Sequence, residues 1–183
     1  MRQAAVADTV GALMTTSRIR RLIGLAMLSL ATVACDHATK TVATSRLAHQ
    51  EPRSLLAGII RLEYAENTGG FLSLGADLPV RSRQVLFTAG TGVLLVCLVA
   101  AALRARWSRT QLIGVALLVA GGASNLIDRV LSGRVVDFLN VGIGPVRTGI
   151  FNVADVALMV GIGCVIVGEV MDRRAADRGA ASA

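Results

Sequence analysis

The stretch Val85-Leu86-Phe87-Thr88-Ala89-Gly90-Thr91-Gly92-Val93-Leu94-Leu95-Val96-Cys97-Leu98-Val99-Ala100-Ala101-Ala102-Leu103 contains no charged residue. It has about the length that a helix needs to cross hydrocarbon, roughly 20 residues for ~30 Å. A helix of a soluble core would carry a polar face, and this one has none. Three further blocks repeat the pattern. One runs from Leu22 to about Thr39, behind Arg18, Arg20 and Arg21. A second runs from Leu112 to about Leu126. The last runs from Val153 to Met171, with Asp155 at its start and Glu169 near its end. The first and third of the four blocks have short apolar cores, so their outer turns must be polar. The expected fold class is an α-helical polytopic membrane protein: four transmembrane helices with a small β-rich extracytoplasmic subdomain.

Composition points the same way. Of 183 residues, 54% are hydrophobic and only 17% charged, against about a quarter charged in soluble domains. The net charge of +7 would suggest nucleic acid in a soluble chain. Here the arginines flank apolar blocks and no basic patch is interleaved with aromatics, so topology explains them and no nucleic-acid partner is expected. Cys97 and Cys164 lie inside apolar blocks and read as packing residues. With His37 and His49 the only histidines, neither a disulfide framework nor a metal site is expected. No cofactor is expected either. The run Ala31-Thr32-Val33-Ala34-Cys35 also has the look of a cleavable lipoprotein leader. The Thr at position −3 to the Cys and the three spans that follow favour an uncleaved helix.

An even number of spans puts both termini on one side. The clusters Arg18/Arg20/Arg21, Arg104/Arg106/Arg109 and Arg173/Arg174/Arg178 all fall on that side, which is taken as cytoplasmic. Residues 1–17 are then a cytoplasmic N-terminal tail. Residues 18–171 form the four-span domain, with outer segments at about 45–84 and 127–152. Residues 172–183 are a cytoplasmic tail expected to fray. In the outer segments Ile60, Leu62 and Tyr64 alternate with Arg61 and Glu63, as in a half-buried strand. Asn67 to Gly70 reads as a turn, Phe71 to Leu74 as a returning strand, and Val135 to Leu139 as a short strand. A loop follows through Gly142, Gly144, Pro145 and Gly149. Open sheet edges are excluded from lipid, so a small sheet should rest on the membrane surface, placed to cradle an extended peptide.

This topology brings Asp36, Lys40, Asn67, Asn125, Asp128, Arg129, Asp137, Asn152 and Asp155 to one depth, the outer boundary. Ionisable groups beside hydrocarbon are costly and pair or face a cavity. Asn152 and Asp155 are three apart and share a helix face, as do Asn125 and Asp128, while Asp36 and Lys40 form an i, i+4 pair. Asp36 with Lys40 reads more readily as a structural pair than a catalytic one. Asp128 reads as the companion of Arg129, and Glu169 as a solvated helix-end residue. His37 should point to a different face from Asp36, outside the cluster. Two carboxylates meeting at a membrane edge suggest an aspartic dyad. Like charges a few Å apart share a proton, so one acid can act as base on water while the other protonates a carbonyl oxygen.

Five stretches, in order, resemble the motifs of the lipoprotein signal peptidase (signal peptidase II) family. They are Asp36-His37-Ala38-Thr39-Lys40, Glu66-Asn67-Thr68-Gly69-Gly70-Phe71, Gly121 to Arg129, Gly133 to Phe138, and Phe151-Asn152-Val153-Ala154-Asp155. The resemblance covers roughly Leu22 to Met171. The second and third motifs are each one residue shorter here than the family pattern. The resemblance implies an aspartic endopeptidase that removes signal peptides from diacylglyceryl-modified prolipoproteins. Asp137 and Asp155 fall on the catalytic positions. Asp36, Lys40, Asn67, Asn125, Arg129 and Asn152 fall on positions that shape the site or hold substrate, with Asp128 in support. It further implies prolipoproteins and membrane lipids as partners, a monomer, and residence in the bacterial inner membrane. A small transporter with an acid relay is the competing reading. It would favour ionisable residues at mid-depth, which the second and third spans lack.

Overall fold

The structure, a computed structural model, describes residues 2–69, 77–104 and 107–181, with side chains from residue 18 onward except Gln84. Helix α1 (Arg2–Leu47) is followed by strands β1 (Arg53–Leu55) and β2 (Ile60–Asn67). Helix α2 (Val80–Gln84), a π turn (Val85–Ala89) and helix α3 (Gly90–Arg104) run on as one rod. Then come α4 (Arg109–Ser132), β3 (Val135–Ile143), β4 (Val146–Arg147) and α5 (Val153–Ala181). Four segments are long and apolar enough to span a bilayer: Arg18–Leu47, Val80–Arg104, Arg109–Ser132 and Val153–Ala180. Each contains one of the apolar blocks read from the sequence and extends beyond it. The chain is therefore a mostly helical four-span protein carrying a small antiparallel sheet.

The extensions have local causes. Past Thr39 the first helix runs on to Leu47, and its hydroxyls fold back on carbonyls one turn earlier instead of leaving it: Thr39 on Cys35, Thr41 on His37 and Thr44 on Lys40, at 2.8 to 2.9 Å. Helix α4 opens on a capping box, with Ser108 and Gln111 each accepting from the other's backbone N–H, and stops at Gly133 in the left-handed region. Residues 2–17 and 172–181, read from the sequence as tails, continue α1 and α5 as helix.

Helices α4 and α5 pack backbone against backbone. A Cβ on Gly114 would lie 2.7 Å from the Gly161 carbonyl oxygen, and one on Gly121 would lie 2.5 Å from that of Ala154, so only glycine permits this approach. Helices α1 and α4 run parallel, as the first and third of alternating spans must. Ser29 donates to the Ala116 carbonyl, Ser124 to Asp36 and Lys40 to Asn125. The offset stays between 85 and 88 residues over that whole length.

The sheet has the order β1-β2-β3-β4 and is antiparallel throughout. Strand β3 is longer than the sequence suggested and absorbs Gly142. There a Cβ would collide with the Val146 carbonyl oxygen, and the expected loop tightens into a β3–β4 hairpin. Arg147 clamps that hairpin to the β1–β2 turn through the carbonyls of Gly58 (2.9 Å) and Ile59 (3.3 Å). Phe138, Ala43 and Leu47 form a buried apolar cluster that seats the sheet on the end of α1. The returning strand expected at Phe71 to Leu74 lies outside the described residues.

Candidate active site

Helix α5 begins at the centre of the polar cluster. Asn152 precedes its first turn and accepts from the Asp155 N–H at 2.9 Å, while the Asp155 carboxylate accepts from the Asn152 N–H at 3.2 Å. This reciprocal pair satisfies helix-start amides that would otherwise be orphaned. A third amide, that of Ala154, donates to Asp36 Oδ1 at 2.8 Å. Thus Asp36, on α1, fixes the helix start that carries Asp155. Asp36 and Asn152 are wholly buried.

Asp36 Oδ2 also accepts from Ser124 Oγ at 2.7 Å and lies 2.6 Å from Lys40 Nζ. Lys40 donates onward to Asn125 Oδ1 (2.8 Å) and Asp128 Oδ2 (2.6 Å). All three ammonium protons are thereby used in a group only 4% exposed. Asn125 then turns its Nδ2 to Asp155 Oδ1 at 3.0 Å.

Strand β3 carries the other acid. Asn67 pairs with Val135 in the β2–β3 register, and Asp137 is two residues further along. The two side chains share one face of the sheet, and Asn67 Nδ2 donates to Asp137 Oδ2 at 2.9 Å. The second amide comes from Asn152, whose Nδ2 donates to Asp137 Oδ1 at 2.6 Å. Asn67 is itself oriented by the Gly69 N–H at 2.9 Å. Burial pushes the Asp137 carboxyl up to about 6. The charge of Asp155 adds to that rise, and the amides of Asn67 and Asn152 with the more distant Lys40 work against it.

Asp137 and Asp155 line the same cavity, about 370 Å³, together with Asn67, Asn125 and Arg129. Its remaining wall is apolar, with Leu94, Leu95 and Leu98 of α3 facing Leu118 and Leu158. Phe87, within the π turn, and Thr91, whose hydroxyl returns to the Phe87 carbonyl at 2.7 Å, close one side. Arg129 donates to the Gly69 carbonyl (2.9 Å) and to its own helix at Asn125 (3.3 Å), while its buried Nε has no partner among the described residues.

All nine residues singled out in the sequence meet in this network, but three local expectations change. Asp128 is not the partner of Arg129. The two side chains leave α4 in different directions, Asp128 to Lys40 and Arg129 to Gly69. His37 does not stand apart: its Nδ1 lies 3.6 Å from Asp128 Oδ1 at the rim, because Asp128 sits outside Asp36 and meets the next helix face. Glu169 is not merely solvated. It accepts from Gln111 at 3.3 Å and from Arg173 at 2.7 Å, tying α5 to the start of α4. Ser124 was passed over. Its signal was a lone hydroxyl in an apolar run directly before Asn125.

Fold and site together define a class: four-span, membrane-embedded proteins with two carboxylates facing an apolar cavity at one end of the bundle. Comparison with known proteins narrows it. The sequence pattern of the family described as Signal peptidase (SPase) II matches residues 28–171. The lipoprotein signal peptidase of Desulforapulum autotrophicum is 34% identical over 78% of this chain and 89% of its own. That of Symbiobacterium thermophilum is 35% identical over 81% and 95%. A bacterial membrane enzyme solved by the in meso method at 2.3 Å superposes with a TM-score of 0.70 and 25% identity, over 82% of this chain and 89% of that one. The chain belongs to the signal peptidase II family and is a membrane peptidase.

Proposed function

We propose that the chain removes signal peptides from diacylglyceryl-modified prolipoproteins, cutting before the lipidated Cys with a water activated by Asp137 and Asp155. One observation carries this reading. Both carboxylates line a single cavity, and their direct donors among the described residues are neutral: carboxamides of Asn67, Asn125 and Asn152, and one backbone amide. No ammonium or guanidinium touches either acid among the described residues. A directly paired cation would hold both acids ionised, and neutral donors leave the pair free to keep one proton.

In this mechanism the ionised acid takes a proton from water as the water oxygen attacks the carbonyl carbon. The protonated acid donates to the carbonyl oxygen. Collapse of the tetrahedral intermediate returns a proton to the departing nitrogen. The signal peptide leaves with a new carboxylate, and the lipidated Cys keeps a free amine. Asp137, raised to about 6, is assigned the shared proton. Arg129 offers its unused Nε to a substrate carbonyl, and the leucine wall takes the apolar signal segment. The outer segments and the site face away from the cytoplasm, both termini lie inside, and the enzyme works as a monomer in the inner membrane.

The test is cleavage of a diacylglyceryl prolipoprotein by the purified protein, analysed by mass spectrometry of the new termini. The lipid-modified precursor should be cut directly before the modified Cys and the unmodified precursor left whole. Equal cutting of both would remove the lipid from the assignment. Cutting elsewhere would remove the cleavage position.

A further inference from the structure

The opposite end of the bundle holds a second built feature. A crevice of about 550 Å³ lies between α1 and α4, lined by Arg20, Arg21 and Arg109 with Gly24, Leu25, Leu28, Leu112 and Ile113. No acidic residue lines it among the described residues. None of the three arginines makes an ion pair with a carboxylate among the described residues. By contrast Arg173, at the same end, is bound to Glu169 at 2.7 Å. The parallel register explains the convergence. The offset of 85 to 88 residues that joins α1 to α4 higher up brings Arg21 level with Arg109.

Arginines that only set topology need no concave site and no shared focus. Here three exposed arginines from two helices line one crevice together with aliphatic side chains, where two of the apolar spans begin. Unpaired guanidiniums in a rigid fork match a phosphodiester. The aliphatic floor matches the first carbons of an acyl chain. The first turn of α4 contains no acid, and the positive end of its helix dipole lies there. We propose that this crevice is a binding site for one anionic phospholipid, the headgroup phosphate held by Arg20, Arg21 and Arg109 and an acyl chain along Leu25, Leu28 and Leu112. It is distinct from the acid cluster, since Arg20 and Asp36 are 16 residues apart on one helix, about 24 Å.

The experiment uses the full chain, purified in detergent and titrated with phosphatidylglycerol, phosphatidylcholine or inorganic phosphate. Retained lipid is read by native mass spectrometry. The wild type should retain one phosphatidylglycerol saturably, take phosphatidylcholine at least about tenfold more weakly, and show no displacement by inorganic phosphate. Each arginine beside an anionic headgroup contributes about fivefold in affinity. The variant with Arg20→Gln, Arg21→Gln and Arg109→Gln together should therefore lose about a hundredfold. Arg174→Gln, at the same end but outside the crevice, should bind like wild type. The unfolding midpoint without anionic lipid should be the same for all. Should the triple variant fail to fold, Arg20→Gln and Arg109→Gln singly should each cost about fivefold. Equal retention of the two lipids, or equal weakening by Arg174→Gln, would reduce the crevice to diffuse surface charge and overturn the site. Displacement by inorganic phosphate would make it an anion site instead of a lipid site.

Discussion

Four aspartates share one connected network, and they fall into two pairs with opposite surroundings. Asp36 and Asp128 both bind the Lys40 ammonium at 2.6 Å. Among the described residues, the hydrogen bonds to Asp137 and Asp155 come from amides. The residue type is the same, and the partner decides the role. An ammonium at contact distance makes ion pairs that hold Asp36 and Asp128 in place. Amides hold a carboxylate in place without setting a full opposing charge against it. Asn125 joins the two regions, accepting from Lys40 and donating to Asp155. It passes orientation from the ion pair to the acid without passing on the full charge.

The largest expected effect breaks the amide-held pair. Asp137→Asn or Asp155→Asn should each lower prolipoprotein cleavage by about a thousandfold or more, while each variant still unfolds cooperatively in detergent. If either variant cuts at the wild-type rate, the division between the pairs is wrong. Next comes the ion pair. Asp36→Ala leaves a buried ammonium short of an acceptor and should cost about 3–5 kcal/mol of stability, read by thermal unfolding. Asp128→Ala should cost less, since the Asp128 side chain is 17% exposed and water can replace it.

The pH dependence of Asp137 gives a third test. With the Asp137 proton near pH 6, kcat/KM should fall above that pH, by up to about tenfold per unit, as the proton donor is lost. The same shift has a sign for folding. The folded pKa lies above the unfolded value, so the contribution is full below about pH 4 and disappears as pH rises through about 6. Asp137→Asn should remove that slope, which unfolding midpoints across this range would reveal. The smallest effect sharpens the link between regions. Ser124→Ala removes one of three donors to Asp36 and should cost about 1 kcal/mol, with a severalfold loss in kcat and little change in KM. A change in KM alone would place Ser124 in binding instead.

The helical frame was legible because periodicity and charge report burial in lipid directly. The block Val85 to Leu103 needed no partner to be read. The site was legible as a set because the cost of polar groups beside hydrocarbon leaves few reasons for them to be there. Its wiring was not. Whether Asp128 turns to Arg129 or to Lys40 depends on how α1 and α4 face each other, and Ser124 earns its place only once Asp36 lies opposite. Strands β1 and β4, three and two residues long, carry no periodicity of their own. Partners fix them: Arg147 through backbone carbonyls, and Gly142 through a contact too close for a side chain.

The parallel pairing of α1 with α4 has a consequence for how the protein is made. Lys40 emerges from the ribosome 85 residues before Asn125 and 88 before Asp128. At ordinary elongation speeds that is a wait of roughly 4–17 s. During it, the first helix must enter the membrane with an acid and a base near its C-terminal end and none of their distant partners yet synthesised. The i, i+4 spacing of Asp36 and Lys40 lets them neutralise each other within that single helix. The nascent segment can then partition laterally as a nearly uncharged rod, and the later spans capture a pair that has already survived insertion.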